Sequence, residues 1–144
     1  MLGLHLFMEI LKIDHIGIVV PNIGSAVKLY EIFGLKVVHE EVLEDRGIRV
    51  VFMEGNSSTL LELIEPINQD EQNPVIKFLK SRGPGLHHIA FEVKGIKEWL
   101  DKLSKLGFQL VDKEPRRGAR GHIVAFIHPK SVMGVLLELV EASH

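Results

Sequence analysis

The chain has 144 residues, enough for one ordinary domain with a real core. Hydrophobic residues make up 46% and charged residues 25%, a globular balance that excludes extended disorder. Lys plus Arg number 17 against 19 Asp plus Glu, a net charge of −2 that gives no support for a general nucleic-acid binder; with no cysteine, disulfides, thiolate metal sites and thiol catalysis are excluded.

The opening stretch, Met1 to Met8, is apolar but has neither a basic n-region nor a small-residue cleavage site. No signal peptide or membrane span is expected, and the expected location is cytoplasmic. Patterned sequence begins just after Met8, which makes Met8 a second candidate start beside Met1. Lys12 to Val20 then reads as a strand. Ala26, Leu29, Tyr30 and Phe33 fall at helical spacing behind Ser25 as cap, and Gly34 ends that helix. Strands are expected at Lys36 to Glu41, Arg49 to Met53 and Thr59 to Ile64. A connector follows, with a short helix from Pro74 to Ser81 and Gly83-Pro84-Gly85 as breaker. His87 to Val93 opens the second half as a strand. Ile96, Leu100, Leu103 and Leu106 form the next apolar stripe, closed by Gly107. Strands at Gln109 to Lys113, His122 to Ile127 and Gly134 to Val140 complete the chain.

The two halves are copies of one βαβββ module. His15 falls on His88, 73 residues on, and the same offset carries Gly34-Leu35-Lys36-Val37-Val38 onto Gly107-Phe108-Gln109-Leu110-Val111. Leu60-Leu61-Glu62-Leu63 falls on Leu136-Leu137-Glu138-Leu139 at an offset of 76, the extra residues being absorbed in turns. Three such matches in one order argue for duplication. The expected organisation is a single α+β domain over 1–144, with modules at 12–66 and 85–142 joined by 67–84. Its sheet is expected to be curved, mostly antiparallel and built around a metal site.

Eight histidines supply the neutral-pH bases and nitrogen ligands. His15 and His88 hold equivalent places on the first strands, and Glu62 and Glu138 on the last. Strand alternation puts Glu62 on the face of Leu60 and Ile64, and Glu138 on the face of Leu136 and Val140. A carboxylate among aliphatic neighbours is costly to bury without a cation. One strand histidine is ordinarily structural, and one strand glutamate ordinarily faces solvent. Four such residues related by the duplication instead form an N2O2 set suited to a divalent transition ion. His87 points to the opposite face and reads as structural or as support for His88. His5, His39, His122 and His144 have no counterpart in the repeat and read as structural, while His128 lies in a turn.

The paired modules resemble the vicinal oxygen chelate superfamily, and within it most closely the methylmalonyl-CoA epimerase family. The resemblance rests on DHIGI at 14–18, ELIEP at 62–66, GLHHIAFEV at 85–93, FIHPKS at 126–131 and GVLLEL at 134–139. By position it implies His15, Glu62, His88 and Glu138 as metal ligands; some of those epimerases carry glutamine where Glu62 stands. It favours cobalt(II), with manganese(II), zinc and nickel(II) also fitting the donors, and it implies a homodimer. Some members have a second glutamate, proposed as a base, where this chain has Val50.

The reaction so implied is interconversion of (R)- and (S)-methylmalonyl-CoA by α-proton abstraction through a metal-stabilised enolate. Glu138 and Glu62 are the nominated bases, with a metal-held water as substitute. Arg116, Arg117, Arg120 and Lys130 are the candidate contacts for the CoA phosphates, although a solvated, charged turn reads about equally well for each arginine. A glyoxalase-like isomerase or thiol transferase on another small chelating substrate would use the same site. A non-catalytic binding protein would generally lack the full ligand set, and a ring-cleaving dioxygenase typically uses two histidines and one glutamate.

Overall fold

β-branched residues (Ile13, Ile16, Ile18, Val19 and Val20; Ile89 and Val93) recur at the start of each copy and favour extended backbone. In the computed structural model, which describes residues 8–142, β1 spans Lys12–Val19, α1 Ile23–Glu31, β2 Lys36–Leu43, β3 Ile48–Glu54 and β4 Leu60–Pro66. Helix α2, Pro74–Arg82, precedes β5 at Gly85–Glu92, α3 at Ile96–Lys105, β6 at Arg116–Arg117, β7 at Ile123–Ile127 and β8 at Leu137–Glu141. His5, His144 and most of the apolar opening stretch lie outside the described residues. Among the described residues, no helix is long and apolar enough to cross a membrane.

The chain forms two compact units, His15–His88 and residues 8–14 with 89–142. In the first, the strand order is β2-β3-β4-β1, with β1 parallel to β4 and the other pairs antiparallel. In the second it is β5-β8-β7-β6, with β5 parallel to β8 and the rest antiparallel. This is the α+β, twice-repeated βαβββ architecture. The register repeats as well: Glu62 lies between Gly17 and Phe52, and Glu138 between Ala90 and Phe126.

Helices α1 and α3 each cover one face of the sheet in their own unit and leave the glutamate on the other. Ile23 and Ala26 of α1 pack with Val51, Met53 and Leu63, while Ile96, Leu100 and Leu103 of α3 pack with Ala125, Ile127 and Leu139. Burying one such leucine stabilises the fold by about 1.5–3 kcal/mol. The glutamate that ends each last strand reaches the first free amides of the helix in its copy. Glu65 Oε2 accepts from Ile23 N at 2.8 Å, and Glu141 accepts from Gly95 N and Ile96 N, each at 2.9 Å. These donors have no partner inside the helix, and a carboxylate there also meets the positive end of the helix dipole.

The helix pattern of the first copy is shifted from the expected one. Asn22, not Ser25, is the cap, its side chain accepting from Ser25 N at 2.8 Å. Starting the helix at Ile23 turns Ala26, Val27 and Tyr30 inward and leaves Leu29 and Phe33 exposed, at 52% and 72%. In the second copy Leu106 is likewise exposed. Gln109 to Lys113 is not a strand: only Leu110 makes a bridge, to Ile127. There Val111 N and Asp112 N both donate to Phe126 O, and the Asp112 carboxylate takes Phe126 N at 2.8 Å. The chain therefore crosses β7 instead of running along it, and the edge strand forms later, at Arg116–Arg117.

Candidate metal centre

His15, Glu62 and His88 meet on the face of the first unit turned away from α1, all at or below 6% exposure. Glu62 Oε1 lies 3.3 Å from His15 Nε2 and 3.2 Å from His88 Nε2, and the two Nε2 atoms are 3.0 Å apart. Three ligand atoms thus converge on one point. Burial alone would raise the Glu62 pKa, but hydrogen bonds and charge from His15 and His88 outweigh it and hold the carboxyl well below the usual carboxylate range.

Deprotonated, the two Nε2 atoms would turn their lone pairs toward each other, and a cation at their meeting point removes that conflict. The spacing fits: ligands about 2.1 Å from a metal and at right angles to each other are about 3.0 Å apart. Glu138, in the second unit, is buried at 6% exposure and shares its face with Ala90, Val124 and Val140. Within the first unit, His15, Glu62 and His88 are a buried donor set that could hold a metal ion.

Two neighbours fix His88. His87 Nδ1 lies 2.9 Å from His88 Nδ1, and the His87 ring rests against Phe78 of α2 with centroids 5.2 Å apart. With Nδ1–H of His88 donating to His87, the lone pair falls on Nε2, the nitrogen aimed at Glu62 and His15. Replacing His87 with alanine should therefore weaken metal affinity about 10- to 100-fold, read by competition with a chelating dye. The second neighbour is Gly17, where an added Cβ would run into the His88 imidazole. The strand needs glycine there to let the ring approach so closely.

Asp14, next to His15 and 4% exposed, pairs with Arg120 in the second unit. Arg120 adopts a left-handed backbone, φ 61°, at a cost of about 1–2 kcal/mol. Of the four basic residues nominated for CoA, Arg120 pairs with the buried Asp14 carboxylate. Arg116 lies 3.2 Å from Asp112 and covers the Phe126 ring at 5.8 Å; Arg117 and Lys130 are exposed. His128 caps the turn Pro129–Val132, Nδ1 accepting from Lys130 N at 3.0 Å. Val50 is fully buried, between Glu41 and Ile64. The roles of Gly17, Asp14, Glu65 and Glu141 were not legible in the sequence pattern, although the repeat sets Gly17 against Ala90 and so marks an unequal pair.

Residues 14–126 match the model of the Glyoxalase/Bleomycin resistance protein/Dioxygenase superfamily. An uncharacterized Bacillus subtilis protein is 45% identical over 131 residues, 90% of this chain and 91% of that one. The mitochondrial methylmalonyl-CoA epimerase of Dictyostelium discoideum is 36% identical over 132 residues, 90% of this chain and 78% of the relative. Among solved structures, a variant of the Streptomyces coelicolor methylmalonyl-CoA epimerase in complex with 2-nitronate-propionyl-CoA superimposes with a TM-score of 0.88 at 34% identity, covering 94% of this chain and all of that one. The chain belongs to the Glyoxalase/Bleomycin resistance protein/Dioxygenase superfamily and is a relative of the methylmalonyl-CoA epimerases.

Proposed function

We propose that this protein is a methylmalonyl-CoA epimerase, interconverting the (R) and (S) forms by removing the α-proton and returning it on the other face. The observation that carries the reading is the convergence of His15, Glu62 and His88 on one point, in a chain whose relatives from Dictyostelium, human and mouse bear that activity in their names. The alternative of a glyoxalase-like isomerase has no comparable support.

His15, Glu62, His88 and Glu138 are the proposed ligands of one divalent ion, with cobalt(II) the proposed native metal. Bound there, the ion would supply positive charge to the substrate's thioester and carboxylate oxygens as the enolate forms. Glu138 is the proposed base on one face of the α-carbon, and Glu62, held by two imidazoles, serves foremost as a ligand. Exposed Arg117 and Lys130, and Arg116 on its aromatic platform, are the proposed CoA phosphate contacts; Arg120 supports them from its pair with Asp14. A homodimer in the cytoplasm completes the proposal.

Epimerisation of stereochemically pure methylmalonyl-CoA tests it. Chelated protein should lose at least about 100-fold of its activity and regain it with added cobalt(II). Activity on hemithioacetals but none on methylmalonyl-CoA would replace this reading with the glyoxalase one.

A further inference from the structure

Across the face of the first unit turned away from α1, one row of paired residues runs His39, Phe52, Glu62, Gly17, and the next runs Glu41, Val50, Ile64, Val19. His39 and Glu41 therefore share a face with the metal ligands. Their placement depends on an irregularity in β2: the register shifts by one residue between Val37 and His39. Without that bulge, His39 would pair with Val51, and both side chains would turn to the face covered by α1.

The bulge instead presents a hydrogen-bonded pair, with His39 Nε2 2.9 Å from Glu41 Oε1. The side chains are 37% and 28% exposed, so they are held in place yet open to a ligand. The Phe52 ring links them to the metal centre. It packs edge-on against His15 at 5.4 Å and at a tilt against His39 at 6.0 Å between centroids. Val50, the neighbour of Glu41 on this face, has no acid–base group, and Glu62 Oε1 is engaged by two imidazoles.

We infer that Glu41, positioned by His39, is the proton-transfer group for the second face of the substrate α-carbon. The inference rests on the epimerase reading and supplies the base that inversion requires opposite Glu138. For the epimer whose α-hydrogen faces Glu41, this carboxylate takes the proton as the C–H bond breaks. The electron pair moves into the enolate, and protonated Glu138 returns a proton to the opposite face. For the other epimer the two residues exchange roles. His39 donates Nε2–H to the carboxylate and acts as a positioning residue.

The test is Glu41→Gln in the metal-loaded protein, with each pure epimer in deuterated water, following inversion and α-hydrogen exchange separately. Inversion should fall about 100-fold or more. Exchange should survive within tenfold for one epimer and disappear for the other, while metal content stays at the wild-type level. His39→Gln should show the same asymmetry with a smaller loss, about tenfold. If Glu41→Gln loses its metal through misfolding, Glu41→Thr, a good strand former, carries the same measurement. Inversion at the wild-type rate, or equal slowing of exchange from both epimers, overturns the inference alone. A wild-type protein inert toward methylmalonyl-CoA overturns the epimerase reading, and this inference with it.

Discussion

Gly17→Ala should empty the metal centre and lower epimerisation about 100-fold, although Gly17 is neither a ligand nor a base. The added methyl group meets the His88 imidazole, and that ring has nowhere to retreat. One side holds Glu62 at 3.2 Å, and the other holds His87 at 2.9 Å. A displacement of about 1 Å in a positioned group is enough for a loss of this size. Metal per chain by elemental analysis and turnover on methylmalonyl-CoA are the two measurements. Ala90, at the same register position in the second copy, is the control: Ala90→Gly removes a methyl from a buried strand and should cost stability while leaving the metal in place. Full metal occupancy in Gly17→Ala would show that His88 moves freely and that the centre does not depend on this close approach.

The contrast between Gly17 and Ala90 marks where sequence was informative and where it stopped. Period-two alternation and the repeat located His15, Glu62, His88 and Glu138, because burial of a polar group in an apolar strand is a local, readable conflict. The βαβββ order was legible for the same reason, since Gly34 and Gly107, with φ of 87° and 91°, interrupt apolar periodicity at matching places. Contacts between distant residues left no such trace. Nothing near Arg120 in the chain points to Asp14, and nothing near Glu65 or Glu141 points to the starts of α1 and α3. The bulge in β2 was equally hidden. One extra residue reverses the faces of everything after it, so His39 read as structural when it faces the metal side. Gln109 to Lys113 failed in the opposite direction. Its alternation looks like a strand, but the Asp112 side chain takes the Phe126 amide that a strand backbone would have used.

Glu138→Gln should lower inversion about 1,000-fold while keeping most of the metal, because the amide oxygen can still coordinate but cannot accept a proton at carbon. Glu62→Gln separates the two roles of a carboxylate in the same donor set. Its Oε1 is held between His15 and His88 at 3.3 and 3.2 Å, a position an amide oxygen can fill, so inversion should stay within about tenfold of wild type. Exchange in deuterated water gives the sharper reading. Glu138→Gln should abolish α-hydrogen exchange from one epimer and spare the other, and the epimer spared should be the one that Glu41→Gln silences. Opposite stereochemical defects from residues in the two copies would assign one face of the substrate to each copy of the module. Wild-type exchange from both epimers in Glu138→Gln and in Glu62→Gln would remove both glutamates as bases and leave them as ligands only. A metal-held water would then be the remaining proton acceptor on that side.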